Sequence, residues 1–166
     1  LLDICKLVYP DDVFSCNKVL VFNLGFDSKG NDKLNSWVYV PEKEFIFYRI
    51  GYYDNIMNTD RMSLYVEIGF SQKQEMLKEG LYLDRILSDL RKMGIITTQK
   101  LVDYEAVLMN PAYVHINKKS VETVEEYKEI LEKNDIYSIG RYGSWTYCSI
   151  EDNILEAREL AEKLNK

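Results

Sequence analysis

The stretch Ile136 to Ile154, IYSIGRYGSWTYCSIEDNI, gathers residue types suited to holding a ligand. Gly140 and Gly143 let a backbone approach a bound group closely. Arg141 between them can pair with a phosphate or a carboxylate. Trp145 and Tyr147 can wall a flat ring or a sugar. Glu151 and Asp152 open a helix whose first N–H groups favour a phosphate or a polarised ring oxygen. Structure alone also accounts for the pattern: a strand, a turn and a helix capped by Ser149 or Glu151, with the aromatic residues in a core.

A second group lies upstream. Arg49 ends the run Phe47-Tyr48-Arg49, with Trp37, Tyr39 and Tyr48 close in sequence. One or two placed arginines are enough to receive an anionic small substrate. A surface arginine on a strand, with aromatic residues in the core, is the plainer alternative. Other chemistry is poorly supplied. His115 is the single histidine and sits in the apolar run Tyr113-Val114-His115-Ile116, as a strand residue would. Cys5, Cys16 and Cys148 show no CxxC and no metal-ligand spacing, which reads as reduced thiols in a cytoplasmic protein without a metal site.

The net charge of −6, with lysine and arginine interleaved among acids, argues against a nucleic-acid partner, which needs a clustered basic surface. No apolar run reaches the roughly 20 residues that span a bilayer, and no signal peptide is visible.

The elements that must carry these residues follow from periodicity. Strands are expected over 18–25, 36–40, 44–50 and 63–70, joined by short polar loops, and this favours an antiparallel meander. The period then changes. Leu77, Leu81, Ile86, Leu87, Leu90 and Met93 predict a helix over roughly 76–93, with Gly94 at its C-terminal end. Short strands at 106–109, 113–117 and 136–139 alternate with a helix beginning near Ser120. A last helix over roughly 151–164 has an apolar stripe of Ile154, Ala157, Leu160, Ala161 and Leu164. The expected fold class is α+β: a connector over 1–17, an antiparallel-sheet domain with helices over 18–105, and a β-α-β-α ending over 106–166.

The order of these segments resembles the amine-oxidase-like flavoproteins, especially the UDP-galactopyranose mutase and protoporphyrinogen-oxidase-like branches. Their C-terminal flavin motif falls here on Gly140, Arg141, Tyr142, Gly143, Trp145, Tyr147 and Glu151-Asp152. Asn110-Pro111-Ala112-Tyr113-Val114-His115-Ile116 resembles their aromatic-proline strand, with Val114 where proline is usual. Val19 to Gly25, Trp37 to Pro41, Phe47 to Ile50 and Ser63 to Glu67 resemble their substrate-domain sheet.

The resemblance implies an FAD enzyme, either an oxidoreductase or a sugar-nucleotide mutase, of a kind associated with polysaccharide biosynthesis. It implies that 106–166 is the remnant of an FAD-binding lobe whose Rossmann half lies outside these residues, since no G-x-G-x-x-G occurs. It places Gly140, Arg141, Trp145, Glu151 and Asp152 at the flavin, and Arg49, Tyr48, Tyr39 and Tyr147 at an anionic or sugar-nucleotide substrate. The 166 residues alone are then expected to be inactive and not to bind FAD tightly. A non-catalytic α+β binding or interaction domain is the alternative.

Overall fold

Along Asn17–Phe26 the side chains of Leu20, Phe22, Leu24 and Phe26 recur every second residue, and this run forms the long strand β1. The computed structural model describes residues 1–10 and 12–165; Asp11, part of the expected connector, and Lys166 lie outside the described residues. Strands β2 (Trp37–Tyr39), β3 (Arg49–Tyr52), β4 (Ser63–Ser71) and β5 (Leu101–Met109) complete one sheet with β1. The order is β2-β3-β4-β1-β5, antiparallel throughout.

Register fixes which side chains share a face. Phe22, Val66 and Ile50 stand opposite one another across β1, β4 and β3, as do Leu24, Leu64 and Tyr52. These six face the core with Tyr82, Ile86 and Leu90 of helix α2 (Glu79–Lys92), which recur every four residues. Each large apolar side chain buried this way stabilises the fold by about 1.5–3 kcal/mol. Gly94 takes φ +71 just beyond the helix, where a Cβ would be strained.

Two expected boundaries move for local reasons. Helix α2 begins at Glu79 rather than near 76: Lys78 before it is extended (ψ 139), and the Leu77 N–H donates to the Tyr82 hydroxyl at 3.0 Å. Strand β3 begins at Arg49 rather than at 44. The buried carboxylate of Asp89 on α2 accepts the Ile46 N–H at 3.0 Å and holds that segment in a turn. Between β3 and β4, where a loop was expected, Tyr53–Met57 forms the short helix α1, ended by Asn58 in the left-handed region.

The chain divides after Cys16 and after Ala112: residues 17–112 form one compact unit, and residues 1–16 with 113–166 form the other. The compositional shift at 105 falls inside β5, which stays paired to β1 as far as Met109 opposite Val19. Residues 1–16, read as a connector, belong to the second unit. There Phe14 packs on Trp145, and Tyr127 donates its hydroxyl to the Val8 carbonyl.

The second unit is largely helical. Helix α3 (Lys118–Glu132) is capped by Asn117, with Ser120 completing a reciprocal pair of bonds. A single turn, α4 (Gly140–Gly143), precedes α5 (Ile150–Leu164). In place of the expected strand over 113–117, Val114 forms an isolated bridge with Cys16, and the His115 N–H donates to the Ser15 carbonyl at 2.8 Å. Residues 136–139 join no sheet among the described residues, although Ile139 is extended. The α5 stripe is largely uncovered in this chain, with Ile154 64% and Leu164 55% exposed.

Candidate functional site

Two constellations emerge, one in each unit. The first lies on the sheet face opposite the core. Tyr39, Arg49 and Glu67 stand side by side across β2, β3 and β4. The Arg49 guanidinium donates to Oε1 of Glu67, and the Tyr48 hydroxyl donates to Oε2. The Tyr48 N–H also donates to the Glu67 carbonyl at 3.0 Å. The Tyr39 ring centroid lies 5.9 Å from the Arg49 guanidinium carbon, a cation–π approach.

Glu67 is 4% exposed, whereas Tyr39 is 62% and Trp37 is 58% exposed. Trp37 stands opposite Gly51, which stands opposite Tyr65. The Tyr65 ring crosses β3 where a Cβ on Gly51 would sit, so a side chain there would displace that ring. The face therefore offers a fixed guanidinium bordered by open aromatic rings, an arrangement able to receive an anion carrying a flat or sugar ring.

The second constellation is the turn. Gly140 adopts φ +79 and donates its N–H to Oε2 of Glu156 at 2.8 Å. A Cβ on Gly143 would lie 2.9 Å from the Ser138 hydroxyl, and that hydroxyl donates to the Gly143 carbonyl at 3.0 Å. Arg141 donates to the Cys148 carbonyl at 2.7 Å. Its guanidinium carbon lies 5.0 Å from the Tyr147 ring centroid and 5.8 Å from that of Tyr113. Tyr147, placed with the substrate group from sequence, thus accompanies Arg141 in this unit.

Trp145 takes φ +45, uncommon for so bulky a residue. Its ring meets Phe14, and its buried indole N–H has no acceptor among the described residues. At the start of α5, Asp152 accepts the Ser149 N–H at 2.7 Å, while the Ser149 hydroxyl accepts the Asp152 N–H at 3.1 Å. The bond from the Ser149 N–H, more than any other cause, holds the Asp152 carboxyl below its ordinary range. Asp152 is thus engaged as a cap. Glu151 is exposed beside it.

Two carboxylates went unnoticed in the sequence. Glu67 carried a signal, as the lone acid in the otherwise apolar strand SLYVEIGF. Glu156 carried none, because its bond to Gly140 exists only once α5 folds back on the turn. His115 is exposed, its Nδ1 3.2 Å from the Ser15 hydroxyl. Among the described residues no three His, Cys, Asp or Glu side chains cluster as metal ligands, and no helix is long and apolar enough to cross a membrane.

No family model matches the chain, and no curated protein matches it. Among solved structures it is similar to a crystal structure of reduced UDP-galactopyranose mutase, with a TM-score of 0.68 and 24% sequence identity. The match covers 81% of this chain and 30% of that one. That likeness shows the fold, a mixed α+β arrangement shared with part of the solved enzyme, and this chain spans less than a third of that enzyme's length.

Proposed function

We propose that these residues supply the substrate-facing sheet and the flavin-side turn of an FAD-dependent enzyme of the UDP-galactopyranose mutase kind. The observation that carries the reading is the structural likeness over 81% of the chain. The placement of Arg49 among open aromatic rings on the sheet supports it.

The turn is suited to one edge of FAD. Trp145 has a buried indole N–H in want of an acceptor, and the exposed Glu151 stands at the helix start, where a flavin hydroxyl can be held. Gly140 acts indirectly, since its N–H already serves Glu156, while Arg141 braces the turn through the Cys148 carbonyl and keeps further guanidinium donors for a ligand. Nothing here supplies a glycine-rich pyrophosphate cradle, which belongs to a further half of the parent enzyme. The uncovered stripe of α5 gives that half a surface to pack on.

When bound, the flavin supplies the reactive ring, for hydride transfer or for isomerisation without net redox change. The likeness favours the second. This chain's own residues bind and orient. Arg49 takes the diphosphate of a sugar nucleotide, while Tyr39, Tyr48 and Trp37 border the ring-bearing parts.

The test is the longest reading frame that encodes this chain, expressed and supplied with FAD. The account expects a yellow protein that isomerises UDP-galactopyranose when its flavin is reduced, and 166 residues that alone retain no FAD. A long-frame protein that stays colourless after FAD is supplied would defeat the proposal.

A further inference from the structure

We infer that Glu67 is a positioning residue for anion recognition, holding Arg49 at a fixed point on the open sheet face; the inference rests on the reading of Arg49 as the diphosphate-binding residue. A carboxylate only 4% exposed loses its hydration and needs donors in return. Glu67 obtains them separately for each oxygen, Arg49 at Oε1 and the Tyr48 hydroxyl at Oε2. The two donors adjoin in sequence, and the Tyr48 N–H bond to the Glu67 carbonyl fixes the backbone register beneath them. Tyr39 limits the guanidinium from the neighbouring strand.

A long arginine side chain otherwise loses rotamer freedom when it meets a ligand. Here Glu67 has already restricted it. The ion pair is close to neutral, so what Arg49 offers an incoming diphosphate is direction more than net charge. This separates two roles for Glu67. If it orients Arg49, neutralising it weakens diphosphate binding. If it only offsets the charge of Arg49, neutralising it strengthens that binding.

The experiment uses the FAD-supplied protein from the longer reading frame, with Glu67→Gln and Glu67→Asp. Titrations with UDP and with uridine, which lacks the diphosphate, are paired with nitrogen NMR of guanidinium rotation at Arg49. The expected result is hindered rotation in the unsubstituted protein and free rotation in both variants. UDP should bind about tenfold more weakly in both, the size of one charge-assisted hydrogen bond, with uridine unchanged. Glu67→Asp separates charge from reach, because it keeps the charge one methylene short of its donors. Hindered rotation retained in Glu67→Gln, or UDP bound more tightly by it, overturns the inference, as does a parent-like Glu67→Asp. If Glu67→Gln does not fold, Glu67→Asp and Tyr48→Phe carry the same comparison. If the unsubstituted protein binds neither UDP nor uridine, the functional reading fails, and guanidinium rotation alone decides whether Glu67 positions Arg49.

Discussion

Phe14 meets Trp145 edge to face, with ring centroids 5.0 Å apart and planes at 65°. Tyr9 meets Phe14 in the same way at 5.3 Å. The three rings hold Tyr9 and Phe14 against the turn that carries Trp145. Phe14→Ala should destabilise that unit by about 1–3 kcal/mol, less than a full core truncation because Phe14 is half-buried. In a Trp37→Phe background the emission of Trp145 should shift to the red. Unchanged emission would mean that Phe14 does not shield the turn.

Asp89 secures the approach to Arg49 from beneath the sheet. Its carboxylate is fully buried and accepts the Ile46 N–H at 3.0 Å and the Arg85 Nε at 2.9 Å. Arg85 also donates to the Glu44 carbonyl at 2.5 Å. Asp89→Ala should cost about 2–4 kcal/mol in urea unfolding, because it leaves the Ile46 N–H without its acceptor. Asp89→Asn keeps an acceptor and should cost less. Equal losses would show that charge, not the Ile46 bond, matters.

At the start of α5, Ser149→Ala should lower stability by about 1 kcal/mol through the lost cap. Asp152 adds a dependence on pH. Its carboxyl is held below the ordinary value of 3.8, so the stability it contributes is present above that pH and is lost as the pH falls through the lower folded value. The gap between the parent chain and Asp152→Ala should therefore be full near neutrality and close in stronger acid. A gap unaffected by acid would contradict the capping role.

Tyr52 gives the opposite behaviour in base. Burial, then the charges of Asp32 and Asp54, push its hydroxyl up to about 12 from 10.0. The unfolded chain ionises first, so stability is intact below 10.0 and falls as the pH rises towards 12. Over that range Tyr52→Phe should lose up to about 2–3 kcal/mol less than the parent chain. Parallel losses in the two proteins would return the Tyr52 hydroxyl to ordinary behaviour.

What the sequence disclosed was local. Alternation located β1 and β4, four-residue spacing located α2, and the Ser149 and Gly94 signals marked helix ends near where they occur. What it concealed depended on partners distant in sequence. Asp89 converts residues 44–47 from strand to turn, and nothing near residue 44 announces it. Residues 136–139 have strand composition but meet no neighbouring strand among the described residues. The site divides along the same line: Arg141 stood out by type and setting and Arg49 by the resemblance, Glu67 carried the faint signal of a lone acid whose partners only register reveals, and Glu156 meets Gly140 only once α5 folds back.

Arg49 is proposed to receive the diphosphate of a sugar nucleotide. The direct measurement is calorimetric titration of UDP-galactopyranose into the FAD-supplied protein from the longer reading frame and into its Arg49→Ala variant. Saturable binding is expected for the first and a loss of about 1.5–3 kcal/mol for the second, the scale of a charge-assisted hydrogen bond. Equal affinity in the two proteins, or no binding by either, would contradict that role.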